Sequence, residues 1–197
     1  MATNKDYVTQ HVQAVSTAEV REYIVENAGK QMVTHTFAAT GNHAASSLNV
    51  YRPRNAYHVN IAAAATSVAT DYYLTADVSG GHLVNGHTVS TNDFVLLPGS
   101  SGWVLEDITA VTDDAATFYI SVGTTSGLAL TTSHKCYIVR AADVVNYVIG
   151  NAAVNWTDRR LAGDTGAPLV FSADSGDATD TDVTLTVQLL DGSKPLS

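Results

Sequence analysis

The chain contains seven histidines, and their spacing is the first chemistry to place. His82 and His87 flank Asn85-Gly86, a strong signal for a tight hairpin turn. A hairpin would bring the two imidazoles together, where they could share a metal. A zinc site needs three or four ligands, and no Cys-His or His-Glu-x-x-His spacing accompanies this pair. Two histidines on a hairpin surface are therefore the expectation. His35, His43 and His58 stand singly on or beside strand-like segments. They read as satisfied, partly buried imidazoles rather than bases.

Asp174 to Asp182 gathers four carboxylates in nine residues. Calcium takes six to eight oxygens, so such a loop has suitable chemistry. The EF-hand pattern fails, however, with no Gly at the sixth loop position and no Glu at the twelfth. A plain solvated loop fits equally well. For nucleophilic catalysis, Gly-x-Ser-x-Gly is absent. Gly99 to Gly102 is one residue short, and Gly123 to Gly127 centres on Thr125. Cys136 lies inside an apolar strand, where a thiol behaves as a small hydrophobe. No glycine-rich phosphate loop occurs. The expectation is no enzyme activity, no catalytic residue, no metal and no cofactor.

Two clusters have the composition of contact surface instead. One is Tyr51, Arg52, Arg54 and Tyr57 around Pro53; the other is Trp156, Arg159 and Arg160 around Asp158. Tyr, Trp and Arg anchor interfaces through large contact area and forked hydrogen bonding. Ordinary turns with a semi-buried aromatic would look the same. Trp103 is a further candidate, either a core wedge or a partner anchor.

The whole chain sets limits on partners. Of its 197 residues, 45% are apolar and only 15% charged, below the roughly 25% usual in soluble domains. Low charge density weakens repulsion between copies, which suits a protein packed against neighbours. Net charge is -9 and the isoelectric point about 5.0. This argues against nucleic acid, which needs clustered Lys and Arg. No apolar run is long enough to span a bilayer, and no secretion leader is evident behind Met1. Synthesis in a cytosol is the simple reading. With one cysteine, no disulfide can form within the chain.

These residues must be positioned by a mainly β fold. Polarity comes chiefly from Thr, Ser, Asn and Gly, which favour strands and turns. Ser16 to Gly29 carries a helix signature: Ser16 and Glu19 form a capping box, Val20, Tyr23, Ile24 and Ala28 recur at helical spacing, and Gly29 ends the run. This predicts a helix over 17–28. Strands are predicted at 31–39, 48–51, 57–64, 72–75, 94–97, 103–108, 117–122, 136–140, 168–172 and 183–190. Residues 1–15 are weakly patterned. Ala141 to Gly150 fits a short helix and a strand nearly equally. Strands about ten residues apart point to a small β-barrel or sandwich. The expected organisation is an N-terminal arm and helix over 1–40, a β domain over 41–140, and a C-terminal β segment over 141–197 on the same body.

One stretch, Gly86 to Val104, resembles segments of tailed-bacteriophage virion proteins. Fibre and head-surface proteins often carry Gly, an apolar residue, Asp, Val-Leu-Leu, then Gly, an aromatic and Val. Here these are Gly86, Val89, Asp93, Val95, Leu96, Leu97, Gly102, Trp103 and Val104. Such segments frequently place Arg after the Asp, where this chain has Phe94. The resemblance implies a small β domain used for assembly. Size and acidity are similar to those of capsid decoration, or cement, proteins. It therefore implies a homo-oligomer, with a trimer favoured, that partners the major capsid protein on the virion surface. A tail-fibre or baseplate component is the close alternative. A carbohydrate-binding β-sandwich is another, and would use a coplanar exposed pair such as Trp103 and Trp156.

Overall fold

A computed structural model describes residues 5–14, 21–25, 31–41, 44–77, 79–114, 117–158, 164, 166–174 and 181–190. The described elements are strands and two short 3-10 turns. In chain order the strands are β1 (Lys5–Ala14), β2 (Arg21–Val25), β3 (Gln31–Gly41), β4 (Ser47–Tyr51), β5 (His58–Asn60), β6 (Asp71–Thr75), β7 (Leu83–Val84) and β8 (His87–Thr88). They continue with β9 (Phe94–Gly99), β10 (Gly102–Asp114), β11 (Thr117–Val122), β12 (Lys135–Val139), β13 (Val144–Val148), β14 (Ala153–Asp158), β15 (Leu169–Asp174) and β16 (Thr181–Leu190). The 3-10 turns are Asn55–Tyr57 and Ala141–Asp143. The fold is mainly β, as the Thr- and Val-rich composition requires.

The chain divides into two units: residues 1–52 with 144–197, and residues 53–143. Sequence patterning placed the boundaries near 40 and 140. In the first unit, residues from both ends of the chain interleave in two antiparallel sheets, ordered β1-β16-β3-β14 and β13-β4-β15-β2. Every residue from Leu169 to Ala173 of β15 is buried. Successive strand residues point to opposite faces, so both faces of this strand are covered.

Of the helix expected over 17–28, the described part, Arg21–Val25, is instead strand β2, paired antiparallel with β15 from Leu169↔Val25 to Ala173↔Arg21; residues 17–20 and 26–28 lie outside the described residues. Helical periodicity and a capping box are local signals. Tyr23, Ile24 and Val25 are aromatic or β-branched, types that also suit strands. Pairing with a strand distant in sequence satisfies the backbone and overrides the weak helix propensity.

The second unit is a six-stranded antiparallel sheet, ordered β5-β12-β9-β10-β11-β6, with the β7-β8 hairpin beside it. The sheet curls until its edges meet. Ile61 bridges Leu74, and the Ala62 N–H donates to the Tyr73 carbonyl at 2.8 Å. β10 makes the curl possible. Its first half pairs with β9, its second half with β11, and a bulge interrupts the register between Ile108 and Ala110. A bulge bends its strand and increases local twist. The alternation in β6 and β11 turns Tyr72, Leu74, Phe118, Ile120 and Val122 inward, where they join Val95, Leu97, Cys136 and Ile138 in one core.

Candidate functional site

The stretch that carries the phage-like pattern is built around Asp93. It follows β8 in the turn Ser90–Asp93, where the Asp93 N–H donates to the Ser90 carbonyl at 3.1 Å. Its side chain is buried, at 3% exposure. Oδ2 accepts from the Ser90 N–H at 2.9 Å and from the Ser90 hydroxyl at 3.3 Å. Oδ2 also lies 2.9 Å from His87 Nε2. A carboxylate only accepts, so the proton in that contact belongs to His87. Oδ1 accepts from the Ala141 N–H at 3.0 Å. One carboxylate thus ties the β8–β9 turn to the turn that follows β12.

A second buried carboxylate lies in that later turn. Asp143 accepts from Arg140 Nε at 2.7 Å and from Arg54 Nε at 3.3 Å. Burial alone would push its carboxyl up; the two guanidiniums outweigh burial and hold it below the usual carboxylate value. Arg140 is raised in return, chiefly by its hydrogen bond to Asp143. Its guanidinium lies 4.4 Å from the centre of the Tyr57 ring, a cation–π contact. Tyr57 in turn meets His87 edge-on, with centroids 5.7 Å apart. Arg54, Asp143, Arg140, Tyr57, His87 and Asp93 form one continuous chain of contacts.

The hairpin histidines do not converge on a metal. Asn85 and Gly86 have φ of 47° and 75°, the left-handed pair of a type I′ turn. His87 is engaged by Asp93, while His82 Nδ1 lies 2.7 Å from Asp113 Oδ1. Among the described residues no group of three metal-binding side chains occurs. Residues 175–180 of the acidic loop lie outside the described residues, as does His43; the side chain of His35 is not described either.

Trp103 is half-buried, set edge-on to the buried Tyr137 at 5.6 Å between centroids. Tyr137 stacks on His58 at 4.1 Å and 3° between planes. Burial, then the Lys135 charge, lowers the His58 pKa. The packing holds Trp103 against the barrel wall, so this indole is part wedge and part surface. Cys136 is fully buried and its thiol is pushed up to about 12 by burial. The Gly123–Gly127 loop is held through Ser126. Its N–H donates to the Tyr72 hydroxyl at 3.2 Å, and its own hydroxyl donates to the Leu128 carbonyl at 3.0 Å.

Of the sequence-derived contact residues, the structure joins Arg54 and Tyr57 to the Asp93–Asp143 network. Tyr51 is buried in β4, and Arg52 is partly exposed. Trp156 lies in β14 opposite Phe37, and Arg159 and Arg160 fall outside the described residues. Sequence reasoning missed Arg140 and Asp143. Their three-residue spacing was the available signal, since residues i and i+3 meet across a single turn.

No family model matches the sequence, and no curated protein matches it. Solved structures with weak similarity to this chain include capsid proteins of a phage. One is VP17, a capsid protein of bacteriophage P23-77, at 11% identity and TM-score 0.23, covering 94% of this chain and 97% of that one. The other is the VP16-VP17 complex of the two major capsid proteins of the same phage, at 11% identity and TM-score 0.21, covering 93% and 98%. Superpositions at these scores do not establish a common fold. Among the described residues, no helix is long and apolar enough to cross a membrane.

Proposed function

We propose that this chain is a non-enzymatic structural protein of a phage virion, one that binds the outside of an assembled capsid and stabilises it. The observation that carries the reading is the use made of Asp93. The stretch resembling phage virion proteins supplies a buried carboxylate whose oxygens are occupied by Ser90, His87 and Ala141. An acid whose oxygens hold donors from two turns braces a scaffold. The partners are the major capsid protein and further copies of this chain, with a trimer the favoured assembly. Several weak contacts held at once give such an assembly its avidity.

The test is co-sedimentation with purified capsids of the parent virus. The protein is expected to pellet with assembled shells, to remain in solution with free capsid subunits, and to raise the temperature at which shells break. Equal binding to free subunits, or none to shells, overturns the reading.

A further inference from the structure

We propose that β13 is a self-association edge, through which two copies of this chain pair antiparallel about a two-fold axis at Asn146. β13 is an edge strand, paired with β4 on one side from Val144↔Tyr51 to Val148↔Ser47. Among the described residues no strand pairs with its other side. Exposed strand edges are templates for pairing, and proteins usually blunt them with charge. Among the described residues the first unit has four such edges. β1 carries Lys5 and Asp6, β2 carries Arg21 and Glu22, and β14 carries Asp158. β13, with the sequence Val-Val-Asn-Tyr-Val, carries no charge. Val148, at its end, is 68% exposed, one of the few large apolar side chains so placed among the described residues.

Charge and chemistry select a second copy as the occupant. The chain carries a net charge of -9, so two copies repel wherever their charged surfaces meet. They meet without like-charge contact along an uncharged strand. Asn146 Nδ2 donates to Asn49 Oδ1 on the neighbouring strand at 2.8 Å. A two-fold axis at Asn146 places this amide opposite its own copy. Its second N–H and its oxygen then extend the Asn49–Asn146 pair into a four-amide ladder, an arrangement that stabilises stacked strands. The same register sets Val144 against Val148 of the second copy, an apolar pair at each end. The contact is isologous, so it closes after two copies and is separate from the three-fold contact of the capsid reading. It stands on the sheet edge alone and does not depend on the capsid reading.

The test uses the full chain in three forms, with sedimentation velocity over a wide concentration range. The unaltered chain is expected to show concentration-dependent association. Val148→Lys adds a charge to the edge and is expected to weaken association by about tenfold or more, with an unchanged circular dichroism melt under dilute conditions. Asn146→Cys provides a second reading. Directly opposed residues bring their Cβ atoms about 4.5–5.5 Å apart, so a short bis-maleimide should link two copies. Cys136 is buried, and the unaltered chain should give no linked product. A monomer at every concentration, association that ignores Val148→Lys, or no linkage through Cys at position 146 each overturns the proposal. Loss of capsid binding with β13 pairing intact would count only against the capsid reading.

Discussion

Asp93 Oδ1 accepts the backbone N–H of Ala141 at 3.0 Å, across 48 residues of chain. This single bond joins the turn before β9 to the turn after β12. It explains why a carboxylate sits buried in a stretch that has no other charge.

Replacing Asp93 by Asn keeps the shape but puts an amide where donors from Ser90, His87 and Ala141 converge. At least one donor then faces another donor. A buried donor without an acceptor costs about 1–3 kcal/mol, and bonds to a charged group are the stronger kind. Asp93→Asn is expected to destabilise the barrel by about 2–3 kcal/mol, and Asp93→Ala by more. Urea unfolding followed by the fluorescence of Trp103 in a Trp156→Phe background measures this. A change below experimental error would show that Asp93 is not a brace.

The Asp143 carboxyl is held low in the folded protein by Arg140 and Arg54, against the opposing effect of burial. A depressed folded pKa adds stability above the unfolded value, about pH 4. That contribution fades as pH falls through the folded value. Asp143→Asn should therefore cost stability at neutral pH and little in strong acid. Both arginines are partly exposed, so solvent screening reduces the loss to about 2 kcal/mol at pH 7. Parallel melting curves from pH 7 to 2 should converge at the acid end; curves that stay parallel would assign the stabilisation elsewhere.

Cys136 should be silent to thiol reagents in the native protein. The thiolate is the reactive form, and a thiol pushed up to about 12 is almost entirely protonated at pH 8. Reaction with a chromogenic disulfide is expected to follow global unfolding, with one thiol appearing per chain. Rapid labelling of the folded protein would contradict the burial seen in β12.

Gly86 has a φ of 75° with open space around its α-carbon. Gly86→Ala therefore tests backbone conformation without a clash. The left-handed region costs a residue with a Cβ about 1–2 kcal/mol. The thermal midpoint should fall accordingly, while the His82–Asp113 and His87–Asp93 contacts persist by NMR.

The barrel was more legible in the sequence than the other unit. β11 follows the predicted strand at 117–122, because Phe118, Ile120 and Val122 alternate strictly with polar or half-exposed neighbours. The Asn85–Gly86 turn was equally plain, since few residue pairs accept two positive φ angles. β1 was not legible: Lys5 to Ala14 has weak alternation and takes its place through ten paired positions with β16. β14 was hidden among residues that resembled a contact turn. The helix signal at 17–28 misled for the same reason, as pairing partners far along the chain leave no local trace. The ambiguous run Ala141–Gly150 resolves into both halves of its description, a 3-10 turn over Ala141–Asp143 and then strand β13. At the site, Asp93 stood out in the sequence, but its partners His87 and Ala141 could not be assigned from spacing.

The pairing of Tyr51 with Val144 carries a genealogical consequence. β4 and β13 are neighbours in one sheet, and between them in the chain lies the whole of residues 53–143. The salt bridge from Arg54 to Asp143 brings the two ends of that segment together. In connectivity, a barrel occupies the place where a short reverse turn would suffice. Such an arrangement lets the insert be exchanged or lost without rethreading its host. The two parts can therefore diverge in sequence at different rates, and relatives of one are to be sought without the other.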